Sequence, residues 1–172
     1  MSTPLTPQQE ADFNNYGCAS ASLIRLCTLR DRPISKEDFV AAHSAKFQFG
    51  QCGRLTIDKI CEIAMGFGWF QAVYFVRDPL YVRGLFRPQI DANVLVLTDR
   101  KRDIASGRWV SDFHCSLALE WRVGPSSPNH SKTTSLDEVL LFSPDQMDHS
   151  AIGRWFPYAW LEEKLVHFLV LS

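Results

Sequence analysis

The 172-residue chain contains no apolar run near the roughly 20 residues a helix needs to cross a bilayer. Its first fifteen residues, MSTPLTPQQEADFNN, hold neither a basic start nor an apolar stretch, so a secretory signal is not expected. A cationic surplus is missing too: 18 Lys and Arg stand against 19 Asp and Glu, a formal net charge of −1. That balance advertises neither nucleic acid nor a membrane as partner. Cysteine is scarce and odd in number, at positions 18, 27, 52, 61 and 115, with no Cys-x-x-Cys pair. This argues against a disulfide framework, against a zinc site built from Cys52, Cys61, Cys115 and His114, and for a reducing compartment. The expected setting is cytoplasmic, or exported without a cleavable signal. Internal repeats and low-complexity linkers are also absent, and 1–172 reads as one domain with 46% hydrophobic residues to build its core.

What the sequence does contain changes character halfway. Ala19, Leu23, Leu26 and Cys27 recur at helical spacing, which predicts a helix from Cys18 to about Leu29. Pro33 breaks it, and Ser35 with Asp38 forms an acidic capping box for a second helix through about Ala45. A third helix opens near Thr56, with Ile57, Ile60, Cys61 and Ala64 inward, and ends at Gly66 and Gly68. Strands are then expected at Phe70–Val76, Asn93–Leu97, His114–Val123, Glu138–Phe142 and His167–Leu171. Helices first and antiparallel strands after is an α+β order.

The strongest chemical signal is Asn14-Asn15-Tyr16-Gly17-Cys18-Ala19-Ser20-Ala21-Ser22. A cysteine follows a glycine turn and opens a helix of small residues. Unpaired N–H groups and the macrodipole at a helix start favour a thiolate, the nucleophilic form of sulfur. The competing reading is a small residue buried in a helix. The second element is His114, in Asp112-Phe113-His114-Cys115-Ser116, at the start of a strand whose other face carries Leu117, Leu119 and Trp121. An imidazole there can take the thiol proton and return it to a leaving amine. His43, His130, His149 and His167 lack an equivalent setting. Gln51-Cys52-Gly53 resembles a nucleophile motif only superficially, and a structural role is expected for it. Trp155, Phe156, Tyr158 and Trp160 read as core or cleft wall, and Arg83, Arg87, Arg100, Lys101 and Arg102 as solvated charges.

In this order the residues resemble the papain-like cysteine peptidases, in particular the bacteriocin-leader-processing (double-glycine) type and its broader relatives. The likeness covers nearly the whole chain as a pattern. It is carried by Gly17-Cys18, Pro33-Ile34-Ser35-Lys36-Glu37-Asp38, Gly53-Arg54-Leu55-Thr56, Gly66-Phe67-Gly68-Trp69 and the strand Val94–Leu97 before the histidine strand. It implies a papain-like fold, with N-terminal helices packed on a C-terminal antiparallel sheet, and a Cys-His-Asp triad. Two departures stand out. Ala19 takes the place of the glycine that often follows the family's cysteine. Ser143, in Phe142-Ser143-Pro144-Asp145, takes the place of the family's aspartate. Asp145, two positions on, is assigned to orient the imidazole, with Asp148 and Asp137 in reserve. The oxyanion hole is expected to join the Cys18 backbone N–H to an upstream side-chain donor, a glutamine in the family. Gln9 is the candidate here, beside Gln8. The tighter family spacing falls on Asp12, which has no donor when ionised, and Asn14 or Asn15 could substitute.

The implied function is a peptidase or amidase that hydrolyses an amide bond of a peptide or protein through a thioester on Cys18, without cofactor or metal. A bacterial effector or toxin using the same residues for glutamine deamidation, acyl transfer or peptidoglycan cleavage is the alternative. A catalytically inactive papain-like binding module is the third reading, favoured by Ser143. Nothing in the sequence sets the oligomeric state.

Overall fold

A computed structural model describes residues 3–43, 57–67, 73–76, 93–122, 138–142, 153–157 and 166–171. Four helices, α1 (Pro7–Tyr16), α2 (Cys18–Leu29), α3 (Lys36–His43) and α4 (Ile57–Gly66), precede six strands. The strands are β1 (Val73–Val76), β2 (Asn93–Arg102), β3 (Trp109–Arg122), β4 (Glu138–Phe142), β5 (Arg154–Pro157) and β6 (Val166–Leu171). The mixed α+β order read from the sequence is thus present.

Helix α1 was not expected, and its cause is local. Thr6 Oγ1 accepts the Gln9 N–H at 3.3 Å while Gln9 Oε1 accepts the Thr6 N–H at 2.9 Å. This closes a capping box around Pro7, a residue suited to the first helical position. Helix α2 follows the expected stripe, burying Ala19, Leu23, Leu26 and Cys27, and buries Ser20 and Ser22 as well. It ends in a Schellman arrangement. The Arg32 N–H reaches the Cys27 carbonyl (3.0 Å), the Asp31 N–H reaches that of Thr28 (3.3 Å), and Asp31 takes the left-handed φ of 55°. Helix α3 opens as predicted: Ser35 Oγ accepts the Asp38 N–H at 3.0 Å and donates its own hydrogen to the Asp38 carboxylate at 2.8 Å. Lys36 then ties α3 to α1, bonding Glu10 at 2.7 Å and lying 4.5 Å above the Phe13 ring.

The strands form one antiparallel sheet in the order β1-β6-β2-β3-β4-β5. Strands β2 and β3 form a hairpin. Among the described residues β2 pairs with β6 only over Asn93–Thr98, and β3 with β4 only over Leu117–Arg122. The hairpin turn is fastened at both ends. Asp103 Oδ2 accepts from the Ser106 backbone and hydroxyl, and Gly107, at φ 66°, donates to the Asp103 carbonyl at 2.8 Å.

Alternation along the paired strands sorts the side chains onto two faces. Leu95 and Leu97 of β2 lie opposite Leu117 and Cys115 of β3. These four, fully buried, make one core with Ala19, Leu23 and Leu26 of α2, Phe39 of α3, and Ile60, Ile63 and Ala64 of α4. Each large aliphatic group so enclosed is worth roughly 1.5–3 kcal/mol relative to exposure. The other face carries Val96, Thr98, Ser116, Val139 and Leu141, all buried too, so the sheet is covered on both sides at its centre. Strand β5, read from sequence as part of an aromatic wall, extends the sheet beyond β4. Its entry is tight, because a Cβ on Gly153 would lie 2.7 Å from the Leu141 carbonyl oxygen.

Candidate active site

Cys18 is the first residue of α2, half-buried, and packed against the helix-side core. Gly17 fixes where it emerges. The Gly17 N–H donates to the Phe13 carbonyl at 2.7 Å and its own carbonyl accepts from Ala21 at 2.8 Å, so α1 runs into α2 with one residue between. A Cβ at Gly17 would collide with the Phe13 carbonyl oxygen. At φ −84° glycine is required there for space rather than for conformation. As the N-cap of α2, Gly17 supplies no side-chain hydrogen bond. The first turn of α2 thus has no side-chain acceptor from its cap.

One turn into α2, Ser22 donates its hydroxyl to the Cys115 carbonyl oxygen across 3.4 Å. Ser22 stands four residues after Cys18 and thus on the same helix face. This contact docks the start of α2 onto β3 at the residue following His114. The Cys115 thiol is pushed well above its ordinary range, first by complete burial, then by negative charge on Cys18, with the Ser22 hydroxyl opposing. Cys18 and Cys115 are electrostatic neighbours.

His114 is half-buried, with Nδ1 enclosed, and sits opposite Thr98. Alternation gives it the face shared with Thr98 and Ser116, while Cys115 takes the helix face. On β3, the Cys115 thiol is the group that feels charge on Cys18, within the core cluster that Cys18 packs against. On the β4 flank, the described pairing of β3 ends at Leu117 opposite Phe142, three residues short of His114.

Asp145, Asp148 and Asp137 lie outside the described residues, as do Cys52, His130 and His149. Gln9 is held in the α1 capping box, its side-chain oxygen taken by Thr6. Gln8 instead donates to Asp12 Oδ1 at 3.0 Å. Asp12 is only 6% exposed, and among the described residues its Oδ2 has no hydrogen-bond partner. The same holds for Ser20 Oγ, in the first turn of α2. Asn14 is exposed. His43 packs edge-on against Phe39 and Phe67, at 5.0 and 5.5 Å between ring centroids. His167 belongs to β6, opposite Leu97 of β2. Among the described residues no group of three or more His, Cys, Asp or Glu side chains could hold a metal ion, and no helix is long and apolar enough to cross a membrane.

Sequence reasoning missed Ser22 and Cys115 as members of this neighbourhood. The spacing of Ser22 from Cys18 and the adjacency of Cys115 to His114 were the available signals. Compared with known proteins, the chain matches no family model, no curated protein and no solved structure.

Proposed function

We infer that the chain is a papain-like cysteine hydrolase that opens an amide bond of a peptide or protein, with Cys18 as nucleophile. One observation carries the reading: a half-exposed cysteine begins a helix whose first turn lacks a side-chain cap, and that helix docks on the histidine-bearing strand. In this mechanism the Cys18 sulfur attacks the carbonyl carbon. N–H groups of the first turn of α2 receive the developing oxyanion. The amine leaves with a proton, and water releases the acyl group from sulfur.

His114 is the base of this proposal and Asp145 its orienting partner. The imidazole leaves β3 on the face away from α2, so this proposal requires it to pass the strand to meet the sulfur. Asp145 lies three residues beyond Phe142, outside the described residues. A second reading, a papain-like module without catalysis, is favoured by that same facing of His114 and by the engagement of Gln9 in a helix cap.

Incubation with a peptide library, read by mass spectrometry, separates the two readings. Wild-type protein is expected to yield cleaved peptides, or a one-dalton gain at glutamine if the reaction is deamidation, and Cys18→Ala none, with its circular dichroism unchanged. His114→Ala is expected to slow turnover by roughly 10²–10⁴-fold, the usual worth of a positioned acid–base group. An equal rate in Cys18→Ala would end the hydrolase reading. Full turnover in His114→Ala with loss in Cys18→Ala would keep the nucleophile and remove the base.

A further inference from the structure

We propose that Cys18 and Cys115 form an oxidation pair, in which a hydroperoxide converts Cys18 to a sulfenic acid and Cys115 resolves it as an intramolecular disulfide. The pairing rests on packing. Cys18 lies against the core cluster that contains Cys115, and the residue one turn further along α2, Ser22, bonds the Cys115 carbonyl. Their exposures differ in the sense such a pair requires. Cys18 is half-buried, so a small oxidant reaches it, whereas Cys115 is fully enclosed and meets no oxidant directly. Burial also holds Cys115 as a thiol, which protects it until a partner sulfur is activated beside it.

The chemistry balances with a hydroperoxide as the only co-reactant. The Cys18 sulfur attacks one peroxide oxygen and the O–O bond breaks. The other oxygen leaves as water or an alcohol after taking a proton, and Cys18 carries S–OH. The Cys115 sulfur then displaces that hydroxyl group, the S–S bond forms, and the thiol proton leaves with hydroxide as water. Two sulfurs have together lost two electrons and the peroxide has gained them. The product would staple the start of α2 to β3 and mask Cys18 reversibly. The inference needs no hydrolytic activity and stands apart from the hydrolase reading.

A peptide map of the wild-type protein tests it without any variant. Trypsin leaves Cys18 in residues 1–25 and Cys115 in residues 109–122, with Cys27, Cys52 and Cys61 in other peptides. After brief exposure to hydrogen peroxide, the expected result is one dominant non-reduced species joining 1–25 to 109–122, two hydrogens lighter and cleaved by dithiothreitol. Closure is expected to quicken with rising pH as Cys115 deprotonates. In Cys115→Ala, dimedone capture at Cys18 should rise several-fold and sulfinic acid should follow. Wild-type Cys18 passing to sulfinic acid with no such cross-link, or pairing instead with Cys27, Cys52, Cys61 or a second chain, overturns the proposal.

Discussion

The hydroxyl of Ser22 is bonded to the backbone carbonyl of Cys115, a residue 93 positions away, inside the contact between α2 and β3. Both residues are buried, and the small side chains around Ser22 let the helix approach the strand closely. Removing the hydroxyl leaves that carbonyl without one of its donors. Ser22→Ala is expected to lower stability by about 1 kcal/mol. For a chain of this size that is a fall in Tm of roughly 2–4 °C. Calorimetry checks the value, and an unchanged Tm would mean the 3.4 Å bond contributes nothing.

Two glycines give opposite expectations for the same substitution. Gly17→Ala drives a methyl group into the Phe13 carbonyl and should cost about 1–3 kcal/mol, as overpacking does. Gly66 ends α4 with open space where a Cβ would stand. Gly66→Ala should leave stability unchanged or raise it by roughly 0.5–1 kcal/mol. Urea titration of the two variants side by side reads the contrast.

Asp31 occupies the left-handed position that closes α2, where glycine is the usual residue, and it also sets a carboxylate near the negative end of the helix. Asp31→Gly relieves both. A gain of about 1 kcal/mol is expected, the cost of one residue held left-handed. Thermal unfolding at low and high salt separates the two parts, since only the charge effect is screened.

Buried thiols give the fold an alkaline limit. Burial raises Cys27 from 9.0 to about 11, and Cys61 and Cys115 are displaced in the same direction, chiefly by burial. A thiol whose folded value is raised contributes stability that is whole below its unfolded value and is lost as pH climbs through the folded one. Stability should therefore fall between about pH 9 and 11, with Cys27 alone accounting for on the order of 2 kcal/mol. Cys27→Ala costs core packing at every pH but should flatten that alkaline slope, as a series of urea midpoints would record.

Sequence reasoning reached the elements whose apolar spacing was strong. Ala19, Leu23 and Leu26 marked α2, and Val94–Leu97 and Leu117–Trp121 marked the two central strands. Helix α1 escaped because it has almost no apolar stripe. Its Thr6-Pro7-Gln8-Gln9 opening was the whole signal, and Gln9 was read instead for its amide. Strand β5 escaped because four residues centred on Trp155 and Phe156 look alike as strand and as core wall. At the site, period-2 spacing separated His114 from Cys115 at once. It could not say which face α2 would cover, since large leucines on one side and small Ser116 and Ala118 on the other suit different packings equally well. That choice belongs to tertiary contact, and it brought a thiol rather than an imidazole beside Cys18.

The last of the described strands, β6, lies between β1 and β2 rather than at a margin of the described sheet. A ribosome that has delivered residues 1–165 has not yet made the strand that, among the described residues, pairs with β1 and with one side of β2. Assembly of the sheet must wait for Val166–Leu171 to slot in, and a truncation before Val166 would unzip two strands at once.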